Sequence, residues 1–335
     1  MRPLQLEFYA CHSLPLCAVS AVAFCKRMCR PWSAVGGHYG KGLRKFGCGN
    51  GVGIWEASAY HLWVDEPIDA RWGQTTFGRS AGCGEMLLGG CYMICVTGDT
   101  HGNQDRWLNQ IHPALSAGDI IIIAGDFGVG FWNGRHFSEE TFYNWLEQQN
   151  YTVLFVDGNH CDFDKLQRYP TAKWCGGKVH QLRRNLLHLM RGEIYRLEAP
   201  GYEGKKLFAF GGGYSLDKAL RISGKSWWPQ EMPTEEEYAH GRETLAQNGN
   251  RVDYIITHTA PYETILQMQH NPKINVKRAA VEEIVLNKFL SEIAKATEYN
   301  RWYFGHFHQD VKPPLWREQY PVFWEIRELD SAGIL

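Results

Sequence analysis

At 335 residues, with 44% hydrophobic and 13% aromatic side chains, the chain can bury the core of one large or two ordinary domains, which excludes a disordered or fibrous protein. A formal net charge of −1 gives no basic field of the kind that polyanion binding leaves in composition, although a local patch would not register in a sum. Seven of the ten cysteines precede Met93, and Cys25-x-x-x-Cys29 has no matching second pair, so reduced thiols in a cytoplasmic protein are expected rather than a zinc knuckle or a disulfide framework.

The first 92 residues hold nine Lys and Arg against six Asp and Glu, leaving the remainder acidic by four charges. They contain 14 of the 35 glycines and show no sustained period or catalytic constellation. The apolar run at 14–25 is too short to span a bilayer. Lys26-Arg27 follow it where a signal-peptide cleavage region would be small and neutral. Met93 opens the first core strand, and Gly89-Gly90, encoded GGN-GGN, permit a ribosome-binding GGAGG just upstream. The expectation is an irregular extension over 1–92, upstream sequence read in frame from a start placed before Met93 or Met86, and one folded domain over 93–335.

From Met93 onward the elements follow a pattern. An apolar strand around Ile94 and Val96 ends in Gly98-Asp99-Thr100-His101-Gly102, a sharp exit that presents Asp99 and His101. A short helix over 104–111, with Trp107, Leu108 and Ile111 on one face, is ended by Pro113. The strand at 119–124 reaches Gly125-Asp126. Ser138 is an N-cap, Glu139 and Glu140 sit in the first turn, and Phe142, Trp145 and Leu146 form the buried stripe of a helix that returns the chain to a parallel strand. That strand, 151–157, opens into Gly158-Asn159-His160-Cys161-Asp162.

Residues 186–189 and 193–197 read as a hairpin turning at Arg191-Gly192, with 206–210 as a third strand, so the sheets are mixed. Residues 214–233 lack a period and read as a long loop of the sort that covers sites. Thr234 and Glu237 form the capping box of a helix to about 246. A strand over 252–256 ends at His258, and Pro261 stops the chain from continuing regularly. A helix over 279–296 is expected to bury Val281, Ile284, Val285, Phe289 and Ile293. The strand at 302–304 leads to Gly305-His306-Phe307-His308, and 322–326 forms the last strand.

Five apolar strands thus each deliver Asp, Asn or His at the carboxyl end. Singly, each residue has a bland explanation, such as turn polarity for Asp99 or Asp126 and a satisfied core histidine for His258; the recurrence is what carries chemistry. The ordered set Asp99-x-His101, Gly125-Asp126, Gly158-Asn159-His160, His258 and Gly305-His306-x-His308 resembles the calcineurin-like metallophosphoesterase family over about 93–328. The runs Leu189-Met190-Arg191-Gly192, Gly211-Gly212-Gly213-Tyr214-Ser215 and Ser226-Trp227-Trp228-Pro229 resemble a bacterial and phage branch of it.

The resemblance implies an α/β fold, a four-layer α-β-β-α sandwich of two mixed sheets flanked by helices. It implies two divalent metal ions (Mn, Fe, Zn, Co or Ni), one held by Asp99, His101 and His308, the other by Asn159, His258 and His306, with Asp126 bridging. Imidazole with carboxylate suits such metals, and one carboxylate between two cations offsets their repulsion. A hydroxide bridging the ions would attack phosphorus in line while the ions stabilise the developing charge. His160 matches the histidine that serves the leaving oxygen. The family commonly has a carboxylate next, and here Cys161 departs from the pattern, since a thiol does not orient and charge an imidazole. Asp162 is the expected substitute, with Cys161 as a small packed residue. Arg191 and Arg221 are candidate ligands for a substrate phosphate.

The expected activity is a metal-dependent phosphoester hydrolase acting on a small phosphomonoester or phosphodiester. A protein Ser/Thr phosphatase is disfavoured, because Gly125-Asp126-Phe127-Gly128-Val129-Gly130 lacks the arginine of Gly-Asp-x-Val-Asp-Arg-Gly. Alternatives are a nuclease of the same fold, which the acidic balance of the core does not support, and a non-catalytic interaction scaffold. No membrane partner is expected, and oligomeric state is not encoded legibly.

Overall fold

In the computed structural model, which describes residues 92–330 apart from 132–135, 275, 277–279 and 313, the described strands form two sheets. The extension expected over 1–92 lies outside the described residues except for Tyr92. The larger sheet has the order β12 (Arg327–Glu328), β1 (Ile94–Thr97), β2 (Ile120–Ile123), β3 (Thr152–Phe155), β6 (Leu186–Leu189), β5 (Gly177–Arg183), β4 (Thr171–Trp174). The smaller runs β11 (Gln319–Pro321), β10 (Arg301–Phe304), β9 (Tyr254–Thr257), β8 (Lys206–Phe210), β7 (Glu193–Arg196). Parallel pairs form the centre of each sheet, and β12, β4, β5 and β7 supply the antiparallel margins.

Successive side chains on a strand point to opposite faces, and the central parallel strands are apolar at most positions on both faces. Ile94, Val96, Ile122 and Leu154 therefore meet Leu207, Ala209, Tyr254, Ile256 and Tyr303 in a core between the sheets. The intervening Cys95, Ile121, Ile123, Val153 and Phe155 face a second core with Trp107, Phe142 and Leu146. On the far side, Phe208, Phe210, Ile255, Trp302 and Phe304 pack with Tyr238, Leu245, Ile265, Phe289 and Ile293. The outcome is the expected α/β architecture of two mixed sheets with flanking helices.

Among the helices, α1 (Glu139–Glu147) starts at Ser138, whose Oγ accepts from Thr141 N at 3.2 Å. The helix α2 (Glu235–Gln247) carries the full capping box, Thr234 Oγ1 accepting from Glu237 N at 3.3 Å and Glu237 Oε2 from Thr234 N at 2.8 Å. Two more, α3 (Tyr262–His270) and α4 (Ile284–Ala296), cover the smaller sheet. No helix among the described residues is long and apolar enough to cross a membrane, and Cys95, Cys161 and Cys175 are free thiols.

Several expectations are corrected. The runs at 186–189 and 193–196 do not pair: β6 lies between β3 and β5 while β7 pairs with β8, so Met190-Arg191-Gly192 crosses from one sheet to the other. Residues 322–326 are the link between β11 and β12, not a strand. The expected helix start at Ala279 lies outside the described residues; Val281, 79% exposed, sits in the turn before α4, and α4 turns Val285 outward (56% exposed) because Leu286, Phe289, Leu290 and Ile293 take its buried face. Pro113 does not end the first helical run, which passes from Gln104–Arg106 through a π turn at Trp107–Ile111 to His112–Ala114. The helix α3 begins directly after Pro261, and β4 and β5 form an antiparallel hairpin between the 151–157 and 186–189 strands.

Register decides where the site falls. Thr97, Ile123 and Phe155 are level across β1, β2 and β3, and Phe210, Thr257 and Phe304 are level across β8, β9 and β10. All the parallel strands therefore release their following loops from a common edge of each sheet.

Candidate metal centre

The loops leaving that edge bring together all seven side chains expected as metal ligands. Asp99 Oδ2 lies 3.0 Å from His308 Nε2 and 3.9 Å from His101 Nε2, and the two imidazole Nε2 atoms are 3.0 Å apart. Nearby, Asn159 Oδ1 lies 3.1 Å from both His258 Nε2 and His306 Nδ1. Asp126 stands between the two sets, its Oδ2 3.4 Å from His258 Nε2 and 3.8 Å from His101 Nδ1. His160 is drawn in as well, its donor atom grouping with those of His101 and Asp126 within 4.8 Å.

The backbone bends sharply to present these groups. His101, Asp126, His306 and His308 have φ of 46°, 49°, 65° and 50°, left-handed conformations that cost a non-glycine residue about 1 kcal/mol or more. Local bonds hold them there: His101 N donates to Asp126 O at 2.8 Å, His306 N to Asp99 Oδ1 at 3.0 Å, and His160 N to Asp126 Oδ1 at 2.8 Å. Two glycines make the approach possible. A Cβ at Gly125, where φ is 90°, would strike the His258 ring, and one at Gly158 would strike Asp126 Oδ1 and come within 2.7 Å of His258 Nε2.

Carboxylates and imidazoles in the cluster stabilise one another's charged forms. Burial favours a neutral Asp126 carboxyl, but His258, His160 and His101 outweigh it and hold the group well below the usual carboxylate range. Burial likewise disfavours a charged His258, yet Asp126 and Asp99 prevail and push it up to about 10. His258 Nδ1 donates to the Ala124 carbonyl at 3.1 Å, which leaves Nε2 facing the carboxylate and the amide oxygen. Imidazole nitrogens with carboxylate and amide oxygens in this proximity are a donor set suited to divalent first-row metals, so the residues fit the expected ions.

Glu283, which the sequence did not single out, completes the centre. It is 2% exposed, its Oε1 lies 3.3 Å from His306 Nε2, and it accepts from Tyr214 N at 3.3 Å. Burial would raise this carboxyl, but His306 reverses the effect and holds it below its ordinary value. With Nε2 occupied by Glu283, His306 turns Nδ1 toward Asn159, the arrangement by which an outer carboxylate fixes a ligating imidazole. No local pattern marks an acid at the start of a helix as the partner of a histidine more than twenty residues later.

The remaining site expectations divide. Arg221 reaches the cluster, with Nη1 3.2 Å from His160 Nδ1 and Nε 2.7 Å from Asp217 Oδ1. Burial pushes His160 down to about 4, with Arg221 and His101 acting in the same direction. Asp162 does not orient His160: its Oδ1 accepts from Lys165 N at 2.9 Å as the N-cap of Phe163–Leu166. Cys161 is 3% exposed and packs in the core as a small apolar residue. Arg191 is not at the centre. It is buried, with Nε 3.0 Å from Asp157 Oδ2, Nη1 2.9 Å from Glu237 Oε2 and Nη2 2.9 Å from the Gln230 carbonyl, and it lines a different cavity beside His180 and His188. Its donors are spent on holding the crossover between sheets, which corrects the expectation of a phosphate contact.

Above the cluster lies a cavity of about 380 Å³ bounded by Asp126, Asn159, His160, Arg221, His306 and His308 among others. Residues 92–310, a stretch containing every one of these side chains, match the family model for calcineurin-like phosphoesterases. A comparison with curated proteins finds no match.

Proposed function

The chain belongs to the calcineurin-like phosphoesterase family, and from that premise we propose that it is a phosphoester hydrolase working with two divalent metal ions, of the bacterial and phage branch. The observation that carries the reading is the position of Asp126, whose one carboxylate oxygen faces both His101 and His258 and so joins two sets of donors. Asp99, His101 and His308 would hold one ion, Asn159, His258 and His306 the other, and Asp126 both. Bound divalent ions supply Lewis acidity toward phosphoryl oxygens and a water acidic enough to attack near neutral pH.

The chain's own groups do the rest. His160, tied through its backbone N–H to Asp126, opens onto the cavity and can hold a hydrogen bond to the leaving oxygen. Arg221, braced by Asp217 and by the Ser226 carbonyl at 3.0 Å, presents its guanidinium beside His160, where a phosphoryl oxygen can accept from it. The scaffold alternative loses support because every ligand position carries a side chain able to bind metal.

The test is turnover of p-nitrophenyl phosphate and bis-p-nitrophenyl phosphate by protein stripped of metal and reloaded with Mn²⁺. Turnover that depends on Mn²⁺ and falls at least about 100-fold in Asp126→Asn is expected. Protein that binds its ions and cleaves neither ester refutes the reading.

A further inference from the structure

The cavity over the metal centre has a mixed lining. Beside the polar groups of the cluster and the charged Asp217, Arg221 and Glu283, it is lined by an apolar set, Tyr214, Leu216 and Phe307 with Val276 and Ala280, which forms its apolar wall. Phe307 lies between two of the expected ligands in sequence, its ring 5.1 Å from that of His306, so the apolar wall begins next to the metal end. Leu216 is 57% exposed, and on the same loop Leu220 and Ile222 are 89% and 62% exposed. Of these Leu216 lines the cavity, and a large exposed aliphatic side chain in a cavity wall marks a surface that a ligand can cover.

The loop that carries this wall is held in place. Lys218 Nζ sits 3.7 Å from the centre of the Tyr214 ring and 4.5 Å from that of Trp227, and pairs with the buried Glu231 at 2.7 Å. Tyr214 N donates to Glu283 and Ser215 N to Glu231 Oε1 at 2.9 Å. Tyr214, Ser215 and Lys218 are thus tied down on either side of Leu216, and Tyr214 is tied to Glu283 beside His306.

We propose that this wall sets substrate class: the site takes a phosphoester whose organic group beside the phosphorus is aliphatic or aromatic, seated on Tyr214, Leu216 and Phe307. This rests on the phosphoesterase reading and goes beyond it by naming what the phosphate is attached to. A sugar or a short polar alcohol would leave the wall uncovered, whereas an alkyl chain or an aromatic ring removes it from water.

The experiment uses Mn²⁺-loaded protein and two substrate series, n-alkyl phosphates and n-alkyl p-nitrophenyl phosphates from methyl to hexyl, together with calorimetric binding of the matching n-alkylphosphonates. In whichever series is cleaved, kcat/KM is expected to rise about three- to fourfold per methylene over the first few carbons, the value of burying a CH₂, and phosphonate Kd to fall in parallel. Leu216→Asp should flatten both dependences while the protein keeps its Mn²⁺ content. Cleavage or binding indifferent to chain length, or a slope unchanged in Leu216→Asp, overturns the inference and leaves the hydrolase reading standing. Chain-length-dependent phosphonate binding without cleavage of any ester supports the wall and overturns the hydrolase reading instead.

Discussion

Replacing Glu283 tests whether the metal centre is held together from outside its ligands. Glu283→Ala removes a buried acceptor from His306 Nε2 and from Tyr214 N, each 3.3 Å away. An unpartnered buried donor costs about 1–3 kcal/mol, and loss of the outer partner of a ligating imidazole lowers metal affinity about 10- to 100-fold, or about 1.4–2.7 kcal/mol. The two routes agree in size. Glu283→Gln keeps an oxygen that accepts from the same N–H groups and should lose less than about 10-fold. The assay is chelator competition for Mn²⁺ with parent, Glu283→Gln and Glu283→Ala proteins, with far-ultraviolet circular dichroism confirming that each is folded. A folded Glu283→Ala protein with Mn²⁺ affinity within twofold of the parent refutes the positioning role.

Asp162→Ala should cost about 1 kcal/mol of stability by removing an N-cap, read by thermal melting, and leave kcat and Mn²⁺ affinity as they were; a collapse of kcat at unchanged metal content would restore Asp162 to the catalytic machinery. Arg191→Ala strips Asp157 of its buried partner and should destabilise by about 3–5 kcal/mol in urea titration, with KM for the folded fraction unaltered; a raised KM at undiminished stability would mean that the guanidinium meets substrate after all. Mn²⁺ at 100 times its Kd should stabilise the protein by about 2.7 kcal/mol for each ion bound, each raising Tm by about 5–10 °C, and a chelator should reverse the shift. An unmoved Tm would show that the ions do not prefer the native state.

The central strands and the convergence of the seven candidate side chains were legible because parallel strands buried on both faces leave continuous apolar runs, and each run here leads into a Gly, Asp, Asn or His. Ile121-Ile122-Ile123 into Gly125-Asp126 is visible in one dimension. Which sheet a strand joins is not: Leu186–Leu189 and Glu193–Arg196 have the spacing of a hairpin, yet they separate because Leu187 and Leu189 face the inner core beside β3 while Tyr195 packs there from the opposite sheet. The β4–β5 hairpin did leave a signal, Gly176-Gly177 between runs whose exposed positions are polar, and the turn residues Cys175 and Gly176 adopt φ of 48° and 87°, a turn type that hairpins favour. Asp162 misled because neighbours in sequence point apart, and a residue followed three positions later by Lys165 N was already engaged as a cap. Glu283 left no trace, since its meaning lies entirely in tertiary contact with His306.

The most direct measurement is anomalous X-ray scattering from crystals of the protein loaded with Mn²⁺. Two peaks are predicted, one among Asp99, His101 and His308, the other among Asn159, His258 and His306, with Asp126 in coordination distance of both. A single peak, or peaks away from Asp126, would contradict the two-ion centre on which the proposed chemistry depends.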